Sequence, residues 1–420
     1  QNCPIIEFLP YNEQLLVKLR EMKANGAYLV LATATHHTIA EKIAAHLGIF
    51  DEVVATSGAV NMAAANKSNC LNQKFGNKQY SYFGNSSDDY AVWDTSKDVH
   101  VVNATASVLT KSLSLYDVKT VVERETSFIK TLIKAIRVHQ WMKNALIFVP
   151  LLASHQITDP AMLVNGVIAF IAFSFCASSV YLLNDMLDIE DDRQHKTKKF
   201  RPIAAGNFSL IHAMFLYPIF LGAAVLISFL FLPIEFLMVL AVYYIMTVTY
   251  SFGLKKVVML DVVLLSLLYT TRVIAGTAAM SLDPTFWILA FSLFIFLSLA
   301  FVKRYTELFD KKHLNCSEKT PGRGYYPADF ELLSSLGSAA GYISVMVLAL
   351  YINDFNHELY STPEILWLAC PLLMFWLSRV WLIAHRGEMH DDPVVFAVKD
   401  RTSQVVGVLF LTTFACASWI

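Results

Sequence analysis

Residues 162–192, MLVNGVIAFIAFSFCASSVYLLNDMLDIEDD, decide the fold of this chain. Residues 162–183 carry no charged side chain and are long enough to cross a bilayer core of about 30 Å as a helix. The run then ends in Asn184 and three aspartates, Asp185, Asp188 and Asp192. On a continuous helix the three carboxylates would share one stripe, which is costly unless a cation binds them. Because Mg²⁺ takes carboxylate and phosphate oxygens, we predict a metal–diphosphate site at a membrane surface.

The composition agrees with a membrane protein that also has a soluble part. Of 420 residues, 55% are hydrophobic and 16% charged, against about 25% charged in an average soluble domain. Six scattered cysteines without a C-x-x-C motif are expected to be unpaired thiols rather than zinc ligands. The net charge of −1 says nothing about partners, and we expect a membrane bilayer and phosphorylated substrates but no nucleic acid. The chain begins with Gln1, so we expect a preceding segment in the gene product.

The first part of the chain alternates strand-like and helix-like segments. Helices are predicted at 12–25 and 37–47, and strands at 27–33, 52–55, 80–84 and 99–103. This alternation favours a soluble α/β domain over residues 1–110 with one parallel, doubly wound sheet. Residues 111–126 are predicted to be a linker, and residues 127–420 a membrane domain.

The membrane domain is predicted to have nine apolar spans. A basic amphipathic helix over residues 127–144 is expected to lie in the membrane interface. The spans fall near 140–155, 162–183, 210–231, 234–251, 258–279, 285–302, 334–353, 364–384 and 405–420. Lysine and arginine occur in the loops 193–201, 255–256, 303–323 and 386–401, but not in the intervening loops. By the positive-inside rule, the soluble domain and the aspartates face the cytoplasm of an inner (cytoplasmic) membrane.

Further charged residues accompany the aspartates. The loop that follows them is basic, with Arg193, His195, Lys196, Lys198, Lys199 and Arg201. Two spans later the apolar sequence is interrupted by a second set, Tyr250, Lys255, Lys256, Asp261 and Arg272. Ionisable residues inside a membrane are functional candidates, although an ion pair between helices would also explain Asp261 and Arg272. Lys303, Arg304 and Glu307 end the sixth span, where snorkelling to the interface is an equal alternative.

These motifs resemble the UbiA superfamily of intramembrane prenyltransferases over residues 128–420. The resemblance implies an all-α polytopic bundle of about nine transmembrane helices. Within the superfamily, QWMKN at 140–144, FRPIAAG at 200–206 and RVIAG at 272–276 resemble the polyprenyl-phosphate phosphoribosyltransferase branch. Prenyltransferases acting on aromatic acceptors usually carry a second motif, DxxxD, whereas here Asp261 is followed at that spacing by Leu265.

The resemblance implies transfer of 5-phosphoribose from phosphoribosyl diphosphate to polyprenyl (decaprenyl) phosphate. It assigns Mg²⁺ to Asp185, Asp188 and Asp192, makes Asp261 a further catalytic candidate, and places the lipid tail among the spans. The implied substrate-binding residues are Asn184, Lys143, Arg193, Lys199, Arg201, Tyr250, Lys255, Lys256, Arg272 and Lys303. Two alternatives stay open: transfer of a prenyl group from its diphosphate to an aromatic or quinone precursor, and a transporter with a regulatory domain.

The soluble domain resembles phosphatases of the haloacid-dehalogenase (HAD) type. Thr33 matches the phosphate-binding hydroxyl of the second motif, Lys67 the lysine of the third, and Asn85 and Asp89 lie in the acidic fourth motif. The first strand, which would carry the nucleophilic aspartate, is absent from residues 1–420. Asn85 stands where the fourth motif expects an aspartate, which weakens Mg²⁺ binding. The resemblance therefore implies a scaffolding domain, or a phosphatase that acts on the product only in a longer chain.

Overall fold

A computed structural model describes residues 4–58, 61–122, 127–195, 197–312, 324–354, 360–389 and 392–419. The chain divides into two compact units. The first comprises Gln1–Leu132 with Asp188–Ser209, and the second Ile133–Leu187 with Leu210–Ile420. The predicted basic residue Lys196 and part of the predicted loop 303–323 lie outside the described residues.

The first unit is built on parallel strands that alternate with helices. The strands are β1 Val30–His36, β2 Glu52–Thr56, β3 Ser81–Gly84, β4 Asp98–Val102 and β5 Val118–Val122. The helices are α1 Glu13–Ala24, α2 His37–Leu47, α3 Ala64–Phe75, α4 Tyr90–Trp93 and α5 Ala106–Leu115. β1 pairs with β2, and β3, β4 and β5 form a second sheet. The described residues thus form two parallel sheets instead of the single predicted one.

The second sheet extends into the segment predicted to be a linker. β5 pairs in parallel with β4, with Val101 opposite Val121 and Val102 opposite Val122. Val118, Thr120 and Val122 are half-buried while Lys119 and Val121 are exposed, the alternation of a strand with one covered face. The surrounding serines and lysines hid this short β-branched run from the sequence prediction.

The second unit is helical. The helices that follow the soluble strands are α6 Phe128–Ala135, α7 Val149–Ala153, α8 Pro160–Leu187, α9 Ile189–Gln194, α10 Leu210–Phe231, α11 Ile234–Phe252, α12 Leu260–Ala279, α13 Phe286–Lys312, α14 Phe330–Asn353, α15 Ala369–His385, α16 Pro393–Lys399 and α17 Arg401–Trp419. α6 begins in the first unit and ends in the second, and α9 belongs to the first.

Within the described residues, seven helices are long and apolar enough to cross a membrane. They are Pro160–Leu187, Leu210–Phe231, Ile234–Phe252, Leu260–Ala279, Phe286–Phe309, Pro327–Asn353 and Pro363–His385. The described residues thus show seven candidate spans, and the predicted total of about nine stays a prediction. The chain is a multi-pass membrane protein.

The first predicted span is not a single spanning helix. It is a 3₁₀ helix, Val138–Phe148, followed by the short α7. The predicted amphipathic helix 127–144 also ends early, at Ala135, because Arg137 takes a left-handed conformation with φ 54°. The last predicted span corresponds to α17, which is not among the seven.

α8 and α12 form the centre of the membrane unit. The buried share of their spanning windows is 61% and 67%, against 11% for α10. α8 buries small residues, which allow neighbouring helices to approach closely: Gly166, Ala169, Ala172, Ser174, Ala177, Ser178 and Ser179. α10 instead exposes large apolar side chains such as Phe215 and Phe229, as expected of a helix that faces lipid.

The 3₁₀ segment Val138–Phe148 is fixed against both central helices. Asn144 Nδ2 donates to Ser174 Oγ at 2.9 Å, and Trp141 Nε1 donates to Ser178 Oγ at 2.9 Å. On α12, a Cβ at Gly276 would lie 2.1 Å from the carbonyl oxygen of Ile147, so only glycine permits this approach. The segment 140–144, which the sequence singled out, is thereby held beside α8 and α12.

Candidate active site

The acidic run does not lie on one continuous helix. α8 ends at Leu187 and α9 begins at Ile189, with Asp188 between them at φ −94° and ψ 12°. The helical spacing that would align Asp185, Asp188 and Asp192 is therefore interrupted at the middle residue. The division into units also falls here, with Asp185 in the second unit and Asp188 and Asp192 in the first.

Asp185 is buried in the last turn of α8 and is paired with an arginine. Its side chain is 2% exposed, and its Oδ1 contacts Nη2 of Arg137. The Arg137 guanidinium also lies 5.0 Å from the ring centre of Tyr181. The pair neutralises a carboxylate that could not otherwise remain buried and charged. Asn184, the neighbouring candidate, is half-buried.

Asp192 is likewise paired with an arginine. Its buried carboxylate contacts Nη1 of Arg201 at 2.6 Å. Arg193 Nε donates to the carbonyl of Ala204 at 3.1 Å, so the segment after α9 folds back on itself. Lys199 stays exposed, 5.2 Å from the ring centre of Phe200.

The three aspartates have the donor chemistry that Mg²⁺ prefers, because each supplies carboxylate oxygens. Within the described part of the chain, however, no group of three or more His, Cys, Asp or Glu side chains is arranged to hold a metal ion. Asp185 and Asp192 are arginine partners in this arrangement. The metal site stays a prediction from the sequence.

Asp261 lies in a buried polar network. Its side chain is fully buried, and its Oδ2 contacts Nε of Arg304 at 2.5 Å. Tyr325 OH donates to the other carboxylate oxygen at 2.6 Å. Arg304 also contacts Glu307 at 2.6 Å and donates to Tyr250 OH at 2.9 Å. Asp261 and Arg304 thus form an interhelical ion pair, which is the alternative explanation that the sequence allowed for Asp261. A catalytic role for Asp261 stays a prediction.

Lys143 and Lys303 converge on one carboxylate that the sequence did not single out. Both ammonium groups contact Oδ2 of Asp392, at 2.8 Å and 3.1 Å. Tyr269 OH donates to Oδ1 of Asp392 at 3.2 Å. Burial alone would raise the pKa of Asp392, but Lys303 and Lys143 hold that pKa well below its usual range.

Arg272 lies next to this group. Its Nε donates to Asn144 Oδ1 at 2.9 Å and its Nη2 to Tyr243 OH at 3.1 Å, while Nη1 donates to the carbonyl of Leu268. The guanidinium also lies 5.3 Å from the ring centre of Tyr269. Among the described residues, the hydrogen-bond partners of this buried cation are all neutral. We call Lys143, Tyr269, Arg272, Lys303 and Asp392 the Asp392 cluster.

The other predicted phosphate ligands of the membrane unit lie at helix ends. Lys255 and Lys256 belong to a 3₁₀ turn, Leu254–Lys256, between α11 and α12, where Lys255 is half-buried and Lys256 exposed. Tyr250 is tied to Arg304. The structure therefore brings together Lys143, Arg272 and Lys303 from the predicted list, and places Tyr250 with Asp261.

The phosphatase-like residues of the first unit form a compact polar group. Lys67 is buried 3.4 Å from Asp89 and 3.0 Å from Tyr82 OH. Asp89 also accepts from the backbone N–H of Asn85 at 2.8 Å. Burial alone would raise the pKa of Asp89, but the backbone N–H groups and Lys67 lower it. Thr33 lies within β1 rather than at its end, and its hydroxyl donates to the Thr35 hydroxyl at 3.0 Å.

The sequence identified several candidate site residues but not the side chains that pair with them. Arg137 was not selected because it lies in the predicted amphipathic helix 127–144, and Asp392 was not selected because its charged run suits a solvated loop as well as a site wall. The one available signal for Asp392 was Pro393 immediately after it, since Asp before a helix-starting proline is a common cap. Asp392 does accept from the Val394 backbone N–H at 3.2 Å.

Comparison with known proteins places these features in context. The model of the UbiA prenyltransferase family matches residues 145–399. An uncharacterized protein of Sinorhizobium fredii is 35% identical over 412 residues, covering 97% of this chain and 79% of the relative. A decaprenyl-phosphate phosphoribosyltransferase of Mycolicibacterium smegmatis is 30% identical over 300 residues, covering 69% of this chain and 93% of the relative. The family match does not reach the N-terminal α/β region, whose phosphatase resemblance stays a prediction.

A solved structure shares the fold. A UbiA homolog from Archaeoglobus fulgidus bound to GPP and Mg²⁺ matches 69% of this chain and 100% of its own, with a TM-score of 0.51 and 15% identity. At this identity the likeness concerns the helical fold alone.

Proposed function

Since the chain belongs to the UbiA prenyltransferase family and is a membrane transferase, we propose that it transfers 5-phosphoribose from phosphoribosyl diphosphate to a polyprenyl phosphate. The observation that carries this proposal is the surplus of buried positive charge in the Asp392 cluster. Lys143 and Lys303 contact one carboxylate, that of Asp392, while the neighbouring Arg272 donates to neutral groups. Similarity to the mycobacterial decaprenyl-phosphate phosphoribosyltransferase supports the choice of reaction.

The cation surplus favours a reaction in which both substrates carry phosphate. Buried cations without a counter-charge are costly, so they favour an anionic ligand. Prenyl transfer to an uncharged aromatic acceptor requires one diphosphate site. Phosphoribosyl transfer requires a site for the donor's diphosphate and another for the acceptor's phosphate. In the first unit, Arg193, Lys199 and Arg201 are our candidates for the donor, as are Lys255 and Lys256 in the second unit.

The aspartates are proposed as the magnesium ligands. Asp185, Asp188 and Asp192 supply the oxygen donors, and the Archaeoglobus homolog binds Mg²⁺. When bound, the ion neutralises charge on the leaving diphosphate. Asn184 is proposed to hydrogen-bond the donor beside them. The basic loops support a cytoplasmic position for this chemistry at the inner membrane.

The chain's own side chains position the reactants and neutralise charge. A phosphate oxygen of the acceptor forms a bond to the anomeric carbon of ribose as the bond from that carbon to the diphosphate breaks. No proton has to be removed from the acceptor, because a phosphate monoester is largely ionised at neutral pH. The lysines and arginines therefore act by holding both phosphates. Asp261 of α12 and Tyr250 of α11 both contact Arg304 of α13 and so join these three helices.

A second candidate is transfer of a prenyl group from its diphosphate to an aromatic or quinone precursor. It is favoured by the solved homolog, which binds GPP. The lack of a second acidic motif disfavours it, because Leu265 stands where the DxxxD motif of such enzymes has its second aspartate after Asp261. It predicts consumption of prenyl diphosphate and no response to phosphoribosyl diphosphate.

We propose that the N-terminal part is a HAD-like domain with a scaffolding role. The buried Lys67–Asp89 pair supports the resemblance. Asn85 in place of an aspartate supports the lack of phosphatase activity. Release of phosphate from a 5-phosphoribosyl lipid by the chain would overturn this assignment.

The test of the transferase is direct. The full chain in lipid nanodiscs is supplied with labelled phosphoribosyl diphosphate, decaprenyl phosphate and Mg²⁺. A lipid-extractable labelled product that disappears with Asp188→Ala is expected. Prenylation of an aromatic acceptor, without any labelled lipid, would favour the second candidate.

A further inference from the structure

The Asp392 cluster is assembled from separate parts of the membrane unit. Lys143 comes from the 3₁₀ segment Val138–Phe148, Arg272 from α12, Lys303 from α13, and Asp392 from the residue before α16. Lys143, Arg272 and Asp392 are each at most 12% exposed, and Lys303 is 32% exposed. The cluster is thus buried on one side and reachable at Lys303.

Two of its cations are held close to each other by a single atom. Because Lys143 Nζ and Lys303 Nζ share Oδ2 of Asp392 at 2.8 Å and 3.1 Å, the two nitrogens are at most about 6 Å apart. Each ammonium has three N–H donors, and one is directed to Asp392. Asp392 therefore holds two like charges within reach of a single tetrahedral anion.

The third cation joins the pair through Tyr269. Lys143 Nζ lies 5.6 Å and the Arg272 guanidinium 5.3 Å from the centre of the Tyr269 ring. Counting the described residues of the cluster, three positive groups face one negative group, a net charge of +2. A phosphate monoester carries about −1.5 to −2 at neutral pH, so one such group balances the cluster.

The position of the cluster selects between the two substrates. Arg272 lies about 18 Å along α12 from Leu260, at 1.5 Å per residue, within a membrane-spanning helix. A phosphate attached to an apolar chain reaches this depth by lateral entry from the bilayer. The water-soluble donor carries a diphosphate, whose greater charge the +2 cluster does not balance, and its 5-phosphate monoester has no apolar chain to bring it to this depth.

We propose that the Asp392 cluster binds the phosphate monoester of the polyprenyl acceptor, and that Asp392 is a positioning residue that holds Lys143 and Lys303 for it. This inference rests on the proposed phosphoribosyl transfer for the identity of the reaction. The recognised chemistry is a single phosphate ester on a long apolar chain.

Binding of labelled decaprenyl phosphate to the full chain in nanodiscs tests this assignment. Lys303→Gln and Arg272→Gln each remove a charged hydrogen-bond donor, for which we expect about a tenfold or greater loss of affinity. Lys303→Arg keeps the charge and should restore most of the binding. Arg386→Gln, which alters an exposed residue after α15, is the matched control and should bind as wild type. Decaprenol, which lacks the phosphate, should not compete.

The kinetic pattern separates this assignment from a purely structural role. Lys303→Gln should raise KM for decaprenyl phosphate and leave KM for phosphoribosyl diphosphate within about twofold. If the folded Lys303→Gln protein binds decaprenyl phosphate like wild type, or if KM for the donor rises instead, the assignment is wrong. If Arg272→Gln does not fold, the comparison of Lys303→Gln with Lys303→Arg tests the assignment by itself.

Failure of this inference is distinguishable from failure of the proposed function. If the chain binds decaprenyl phosphate in a charge-dependent way but does not transfer phosphoribose, the proposed reaction is wrong and the proposed lipid-phosphate site is supported. If Lys303→Gln transfers phosphoribose with an unchanged KM for decaprenyl phosphate, the proposed reaction is supported and the proposed site is wrong.

Discussion

Replacing Asp392 by asparagine is the perturbation whose effect follows most directly from the structure. The substitution keeps the shape of the side chain but removes the one negative charge between Lys143 and Lys303. Removing one partner of a buried ion pair costs about 3–5 kcal/mol. Repulsion between two ammonium groups about 6 Å apart is about 3 kcal/mol at an effective dielectric constant of 20. Since Lys303 is partly exposed and can turn to solvent, we expect a loss of about 3 kcal/mol in the free energy of unfolding.

The assay is denaturant unfolding of the purified chain in detergent, followed by tryptophan fluorescence at several pH values. The pKa of Asp392 is lowered in the fold, so its contribution is present above the usual carboxyl range and is lost as pH falls through the lowered value. The difference between wild type and Asp392→Asn should therefore be constant from about pH 5 to 8 and shrink below about pH 4.

A matched control and a ligand effect sharpen this experiment. Asp117→Asn removes the partner of Lys119 from an exposed pair and should leave unfolding unchanged. Decaprenyl phosphate should restore part of the stability lost in Asp392→Asn, because a bound anion replaces the missing charge. A variant as stable as wild type at pH 7 would refute the reasoning that Asp392 holds two buried cations together.

Three further predictions concern the central helices and the acidic run. Gly276→Ala should destabilise the fold by about 1–3 kcal/mol, measured by denaturant unfolding, because its Cβ would overlap the carbonyl of Ile147; an unchanged stability would contradict this close approach. Arg304→Gln should destabilise by about 3–5 kcal/mol in the same assay, because it leaves Asp261 buried without its partner. Asp188→Ala, or EDTA added to wild type, should abolish product formation in the nanodisc assay without changing the melting temperature. Full activity in EDTA would show that the reaction does not need the proposed magnesium ion.

The sequence predicted the membrane architecture where the physical signal was local. Apolar length alone located the helices that became α8, α10 and α12, since a bilayer demands a continuous run of apolar residues. The same criterion failed at residues 140–155, where left-handed Arg137 and the polar residues Lys143 and Asn144 favour a 3₁₀ segment docked on neighbouring helices.

The candidate site was only partly predictable because its partners are distant in sequence. Lys143, Arg272 and Lys303 could be selected as charges in apolar sequence, but nothing in their spacing indicated that two of them meet Asp392. The expected stripe of three aspartates assumed an unbroken helix, and the turn at Asp188 depends on backbone angles that spacing does not reveal. Pairing of Asp185 with Arg137 likewise joins residues 48 positions apart.

The measurement closest to the central claim is the transfer assay with the full chain in nanodiscs, labelled phosphoribosyl diphosphate, decaprenyl phosphate and Mg²⁺. We predict a labelled phosphoribosyl lipid whose formation needs the acceptor's phosphate, with decaprenol inactive as acceptor. Absence of that lipid, together with prenylation of an aromatic acceptor from a prenyl diphosphate, would contradict the account.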